Sequence, residues 1–127
     1  MPTAVTEGIR VTVEATYLPE RSSPDEGSYA FAYTVTIANE SAPRAQLRRR
    51  HWIITDGNGH VEEVEGPGVV GQQPVLDAGE THRYASGAVL STPVGTMEGT
   101  YEMHTEGGRV FNARIPRFSL QVPGILQ

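Results

Sequence analysis

Apolar residues recur at every second position over much of this chain, the period of a strand that buries one face. Ile9, Val11 and Val13 alternate with Arg10, Thr12 and Glu14, which predicts a first half-buried strand. Residues 19–28 are polar and include Pro19 and Pro24, so a loop follows. Tyr29, Phe31, Tyr33, Val35 and Ile37 then carry the clearest strand signal, with small or β-branched Ala30, Ala32, Thr34 and Thr36 between them. Asn39-Glu40-Ser41-Ala42-Pro43 ends that strand.

A third strand is expected over residues 46–55, but its parity breaks. Leu47 and Ile53 fall opposite Trp52 and Ile54. A bulge, or burial on both faces, near Trp52 would account for this. Asp56-Gly57-Asn58-Gly59 is turn chemistry and joins the strand to another at residues 61–65, so the two read as a hairpin. A calcium loop is the sharper reading of that turn, but the set of acidic ligands and the distal glutamate are missing.

Further strand signals cover residues 81–86, 87–90, 99–104, 110–116 and 118–122, with a turn at Glu106-Gly107-Gly108. No window of helical length shows a 3.6-residue period. Seven to nine short antiparallel strands with little or no helix predict an all-β sandwich of the immunoglobulin or fibronectin type III kind. Trp52 on the third strand fits the core tryptophan of such a sandwich, and Tyr101, two residues before apolar Met103, fits its tyrosine corner. The length of 127 residues suits one domain, with residues 1–8 expected to be a flexible N-terminal tail.

Composition narrows the chemistry. There is no cysteine, so disulfides, thiolate nucleophiles and sulfur-bound metals are excluded. All ten basic residues are arginine, which removes Schiff-base chemistry and a P-loop lysine. A net charge of −5 argues against a nucleic-acid partner. No apolar run approaches the ~18 residues that cross a bilayer. The first residues lack the basic and apolar regions of a secretion signal, so a cytoplasmic protein without a membrane partner is expected.

One motif suggests a ligand. Gly66-Pro67-Gly68-Val69-Val70-Gly71 matches the GxGxxG phosphate fingerprint, but Gln72-Gln73-Pro74 after it is a poor helix start. A dinucleotide fold is therefore not expected. The glycines read first as a tight turn, and second as an amide nest for a phosphate or pyrophosphate. Gly66, Gly68, Val69, Val70 and Gly71, with Arg48 and Arg50, form that candidate anion site. Against it, Arg48, Arg49 and Arg50 are expected to pair across the hairpin with Glu62, Glu63 and Glu65. His51, His60, His82 and His104 lack metal-ligand spacing, although His51 beside Trp52 suits a buried, hydrogen-bonded histidine. Asp56 and residues 62–65 offer at most a weak magnesium site. Ser86 and Ser91 lack a nucleophile elbow. No catalytic residue and no cofactor are expected.

Longer stretches carry a family resemblance. His51-Trp52-Ile53-Ile54-Thr55-Asp56, residues 63–74, Gly79-Glu80, Tyr84-Ala85-Ser86-Gly87, residues 90–103 and Phe111 through Pro116 together resemble the ApaG family. Ala78 stands where that family usually has proline, and His82 where it usually has an aromatic. The resemblance spans residues 9–123 and implies a fibronectin type III-like sandwich, a link to cobalt and magnesium tolerance, and use as a protein-binding module. It supplies no catalytic residues. A protein partner is thus the first expectation, and a phosphate-containing small ligand the second.

Overall fold

Two antiparallel sheets face each other in the computed structural model, which describes residues 1–40 and 42–124. In chain order the strands among these residues are β1 (Thr3–Thr6), β2 (Ile9–Tyr17), β3 (Tyr29–Asn39), β4 (Ala45–Asp56), β5 (Val61–Pro67), β6 (Val75–Leu76), β7 (Thr81–Leu90), β8 (Val94–Thr105) and β9 (Val110–Gln121). One sheet has the order β1-β2-β3-β7 and the other β5-β4-β8-β9, with β6 also on β4. The all-β sandwich expected from the alternation is present. Its only helical pieces among the described residues are short 3-10 turns at Pro19–Arg21 and Pro24–Glu26.

Several boundaries differ from expectation. Residues 1–8 contain a strand and not simply a tail: Thr6 pairs with Ile9 across a two-residue turn in which Glu7 (φ 47°) and Gly8 (φ 84°) are both left-handed. Such a turn matches the twist of the strands it joins, and Glu-Gly is its faint sequence trace. Residues 81–86 and 87–90 merge into β7, and residues 110–116 and 118–122 into β9. Pro116 does not break β9 because the ladder shifts register there, between the Gly99–Ile115 and Met97–Phe118 pairs.

The parity break in β4 is a β-bulge, but it lies at Arg48 and not near Trp52. The register against β8 shifts between Leu47 and Arg49. Before it Ala45 and Leu47 point inward, and after it Trp52 does. Trp52 is 3% exposed and stands edge-on to three rings: Tyr33 at 5.4 Å, Phe118 at 6.0 Å and Tyr101 at 6.3 Å between centroids. Pairs of this geometry contribute about 0.5–1.5 kcal/mol each beyond the area they bury.

Tyr101 is not a tyrosine corner. Its hydroxyl crosses the sandwich to share a short hydrogen bond with the Tyr84 hydroxyl on β7, so the bond ties the two sheets together and not the chain to its own backbone. Burial pushes both phenols well above their ordinary range, which keeps the pair neutral. Asn39, 1% exposed, does a similar task at the other end of β3. Its side-chain amide donates to the carbonyls of Leu76 and Pro43 and accepts from the Ala42 amide, so this buried side chain keeps its polar groups paired.

At Gly99 the chain of β8 leaves no room for a side chain against β4. A Cβ there would stand 1.9 Å from the His51 carbonyl oxygen, which belongs to backbone and cannot swing away. Gly99→Ala is therefore expected to lower the unfolding free energy by about 3 kcal/mol or more. Gly107→Ala, where a Cβ meets nothing within 4 Å, should leave it near the wild-type value. Urea denaturation of the two variants checks this, and equal midpoints would contradict it.

Candidate functional site

The glycine-rich segment forms a clasp on the bulge of β4. Val69 and Gln72 exchange both backbone hydrogen bonds, at 2.8 and 3.0 Å, around a tight turn in which Val70 (φ 47°) and Gly71 (φ 76°) are left-handed. The Gly68 amide donates to the Arg48 carbonyl at 2.8 Å, and the Gln73 side-chain amide donates to the same oxygen at 3.0 Å. The carbonyl of the extra residue is thereby satisfied from the loop. Gly68 is held at φ 64°, and a Cβ on it would meet the Gln72 carbonyl oxygen at 2.4 Å.

Arg50 closes the clasp from the sheet side. Its Nη1 donates to the carbonyls of Pro67 and Gly68 at 2.9 and 3.0 Å. The guanidinium lies over Gly66, where a Cβ would come within 3.1 Å of both terminal nitrogens. The candidate anion-site residues do converge, since Gly66, Gly68, Val69, Val70, Gly71, Arg48 and Arg50 all belong to this one feature. Their polar groups, however, largely face one another. The Gly68 and Val69 amides are bonded within the clasp, whereas those of Val70 and Gly71 have no backbone acceptor among the described residues. Arg48 donates from Nε to the Gln46 side chain.

Pairing of the arginine run with the glutamates does not occur. The register sets Arg49 opposite Pro67, Arg50 opposite Gly66 and His51 opposite Glu65, so the run lies beyond the acidic stretch. His51 instead bonds Glu63 at 2.7 Å on the outer face and is not a buried histidine. His104 bonds Glu102, and His82 stacks on Tyr84. No group of three or more His, Cys, Asp or Glu among the described residues gathers to hold a metal. Asp56 caps its own turn, accepting from the amides of Asn58 and His60 at 2.9 Å each, and these bonds hold its carboxyl below the usual range. Ser91 donates to Asp56 at 3.4 Å and not to a histidine.

Sequence reasoning missed a cleft along one side of the sandwich, between β5 and β7. Each of these strands is the outermost of its sheet on that side. The cleft holds about 480 Å³, with Tyr33, Trp52 and Met97 in its floor. Arg50 stands at one end, and Asp56, His60 and Glu62 at the other. Every residue from 86 to 91 lines it, so the free edge of β7 itself forms a wall, whereas β5 contributes only Glu62 and Val64. Val89 is 68% exposed. The signal in the sequence was present but needed the third dimension: even-numbered Arg50, Trp52, Ile54 and Asp56 share one face only after the bulge. No helix among the described residues is long and apolar enough to cross a membrane.

Comparison with known proteins agrees with this architecture. The ApaG domain family model matches residues 19–105, more than half of the chain. Protein ApaG from Methylocella silvestris is 55% identical over 123 residues, covering 97% of this chain and 95% of that protein. Protein ApaG from Methylobacterium sp. (strain 4-46) is 57% identical over 122 residues, covering 96% and 94%. A crystal structure described as an ApaA protein from Bordetella pertussis superposes with a TM-score of 0.88 at 49% identity, covering 98% of each chain. This chain belongs to the ApaG family.

Proposed function

We propose that this protein is a non-enzymatic interaction module that acts in the cytoplasm and binds a protein partner along the open side of its sandwich, between β5 and β7. One observation carries the reading: an aromatic-floored cleft lies between two sheet edges that pair with no further strand among the described residues. Free edges accept a further strand, and exposed apolar surface beside them adds burial energy. The side-chain chemistry favours binding over catalysis. Ser91 serves Asp56, the tyrosine pair is neutral, and the clasp's arginine holds carbonyls. A link to cobalt or magnesium tolerance, as the family resemblance implies, would then operate through the partner and not through a metal held here.

A photo-crosslinking residue at Val89, at native expression, is expected to trap a discrete protein adduct. The same residue at Glu14, on the outer face of β2, should trap none. Adducts at Glu14 alone would move the partner off the cleft, and none at either position would contradict the reading. The clasp geometry also expects pyrophosphate at millimolar concentration to leave the amide resonances of Val70 and Gly71 unmoved. Saturable shifts at those two amides would establish the anion site instead.

A further inference from the structure

The cleft has a polarity that defines what it can hold. Arg50 and Asp56 lie on the same inward face of β4, six residues apart, which is roughly 20 Å at the rise of a strand. Between them the floor is apolar: Tyr33, Trp52 and Met97, with Ile54 alongside. At one end Glu62 is exposed and has no ion-pair or hydrogen-bond partner among the described residues. Beside it Asp56 keeps its charge because backbone amides stabilise the carboxylate. At the other end Arg50 engages its carbonyl acceptors through Nη1 alone and has no carboxylate partner among the described residues. An acidic end, an apolar middle and a basic end are thus set out in line.

The wall fixes a direction. Ser91, just past β7, meets Asp56, while Tyr84, near the start of β7, bonds Tyr101, the β8 residue directly opposite Arg50. β7 therefore runs from the basic end of the cleft to the acidic end. A strand added to its free edge in the antiparallel sense, the more stable pairing per residue, would run from the acidic end to the basic one. Its N-terminal part would lie against Glu62 and Asp56, and its C-terminal part against Arg50.

Resting on the reading of a protein partner above, we propose that the occupant of the cleft is an extended segment of that partner, added to β7 as an antiparallel strand. The segment carries a basic side chain first, alternate apolar side chains next, and an acidic side chain about six residues after the basic one. Main-chain hydrogen bonds to β7 supply affinity, and the two charged ends supply direction and register. The side-chain period of two requires that the basic, apolar and acidic positions share parity, because all must face the floor.

The test uses the intact protein and the capped peptide Lys-Thr-Val-Thr-Val-Thr-Asp, followed by amide chemical shifts. Its reversed-charge counterpart, Asp-Thr-Val-Thr-Val-Thr-Lys, serves as the comparison. The first peptide is expected to shift amides of residues 86–90, and the second to bind roughly tenfold more weakly, since two attractive ends become repulsive. Glu62 is exposed and outside the clasp, so Glu62→Arg should fold normally. That variant should weaken the lysine-first peptide and recover binding to the same peptide with glutamate in place of lysine. Equal affinity for both charge orders overturns the proposal, as does the absence of shifts at residues 86–90 up to millimolar peptide. A dimer in sedimentation velocity whose peptide-free spectra already show those shifts would make a second copy the occupant and also overturn it. Failure here alongside protein adducts at Val89 would remove the segment chemistry and keep the interaction module, whereas loss of both would remove each.

Discussion

One extra residue in β4 decides the character of this molecule's open side. Side chains on a strand alternate strictly, so Leu47 and Trp52, five positions apart, cannot both enter the core of an unbroken strand. The bulge at Arg48 lets both enter. Below it β4 buries Ala45 and Leu47 against the β6 end of the sandwich. Above it the same strand supplies Trp52 to the aromatic cluster and turns Arg50 inward. Without the shift, Arg49, His51 and Ile53 would face the core. Two charges or partial charges would then have to be buried where an indole now packs, at a cost of several kcal/mol each.

The glycine-rich loop follows from the bulge. A bulge leaves backbone groups that the ladder no longer pairs, and the loop answers with the Gly68 amide and the Gln73 side chain on the Arg48 carbonyl. Arg50 then binds back to the loop's own carbonyls. The three glycines each have a local reason: Gly66 makes room for a guanidinium, Gly68 for a carbonyl, and Gly71 turns the chain left-handed. A phosphate fingerprint arises here from packing needs. Two of these glycines answer close approach and the third a left-handed turn, needs that glycine meets at least cost.

The legible part of the sequence was whatever depended on a period of two. β2, β3 and the β4–β5 hairpin were visible in the alternation and in Asp56-Gly57-Asn58-Gly59, and Trp52 was visible as core. What stayed hidden depended on register. The place of the bulge could not be found from Leu47 and Trp52 alone, because any position between them restores parity. The arginine run and the glutamates looked like partners until the hairpin register set Arg49 and Arg50 opposite Pro67 and Gly66, past the last glutamate. The Tyr84–Tyr101 bond joins different sheets, so no local pattern announces it. The cleft likewise belongs to no single segment, since its floor comes from β3, β4 and β8 and its walls from β5 and β7.

Arg48 matters through its backbone and hardly through its side chain, which is exposed and donates to Gln46. Unfolding free energies of Arg48→Ala and of a chain lacking residue 48 separate the two most directly. The substitution should stay within about 0.5 kcal/mol of wild type. The deletion should cost more than about 4 kcal/mol or abolish folding, because it forces either Leu47 or Trp52 out of the core. A deletion variant that unfolds at the wild-type midpoint, or a substitution as damaging as the deletion, would contradict the claim that the bulge organises this structure.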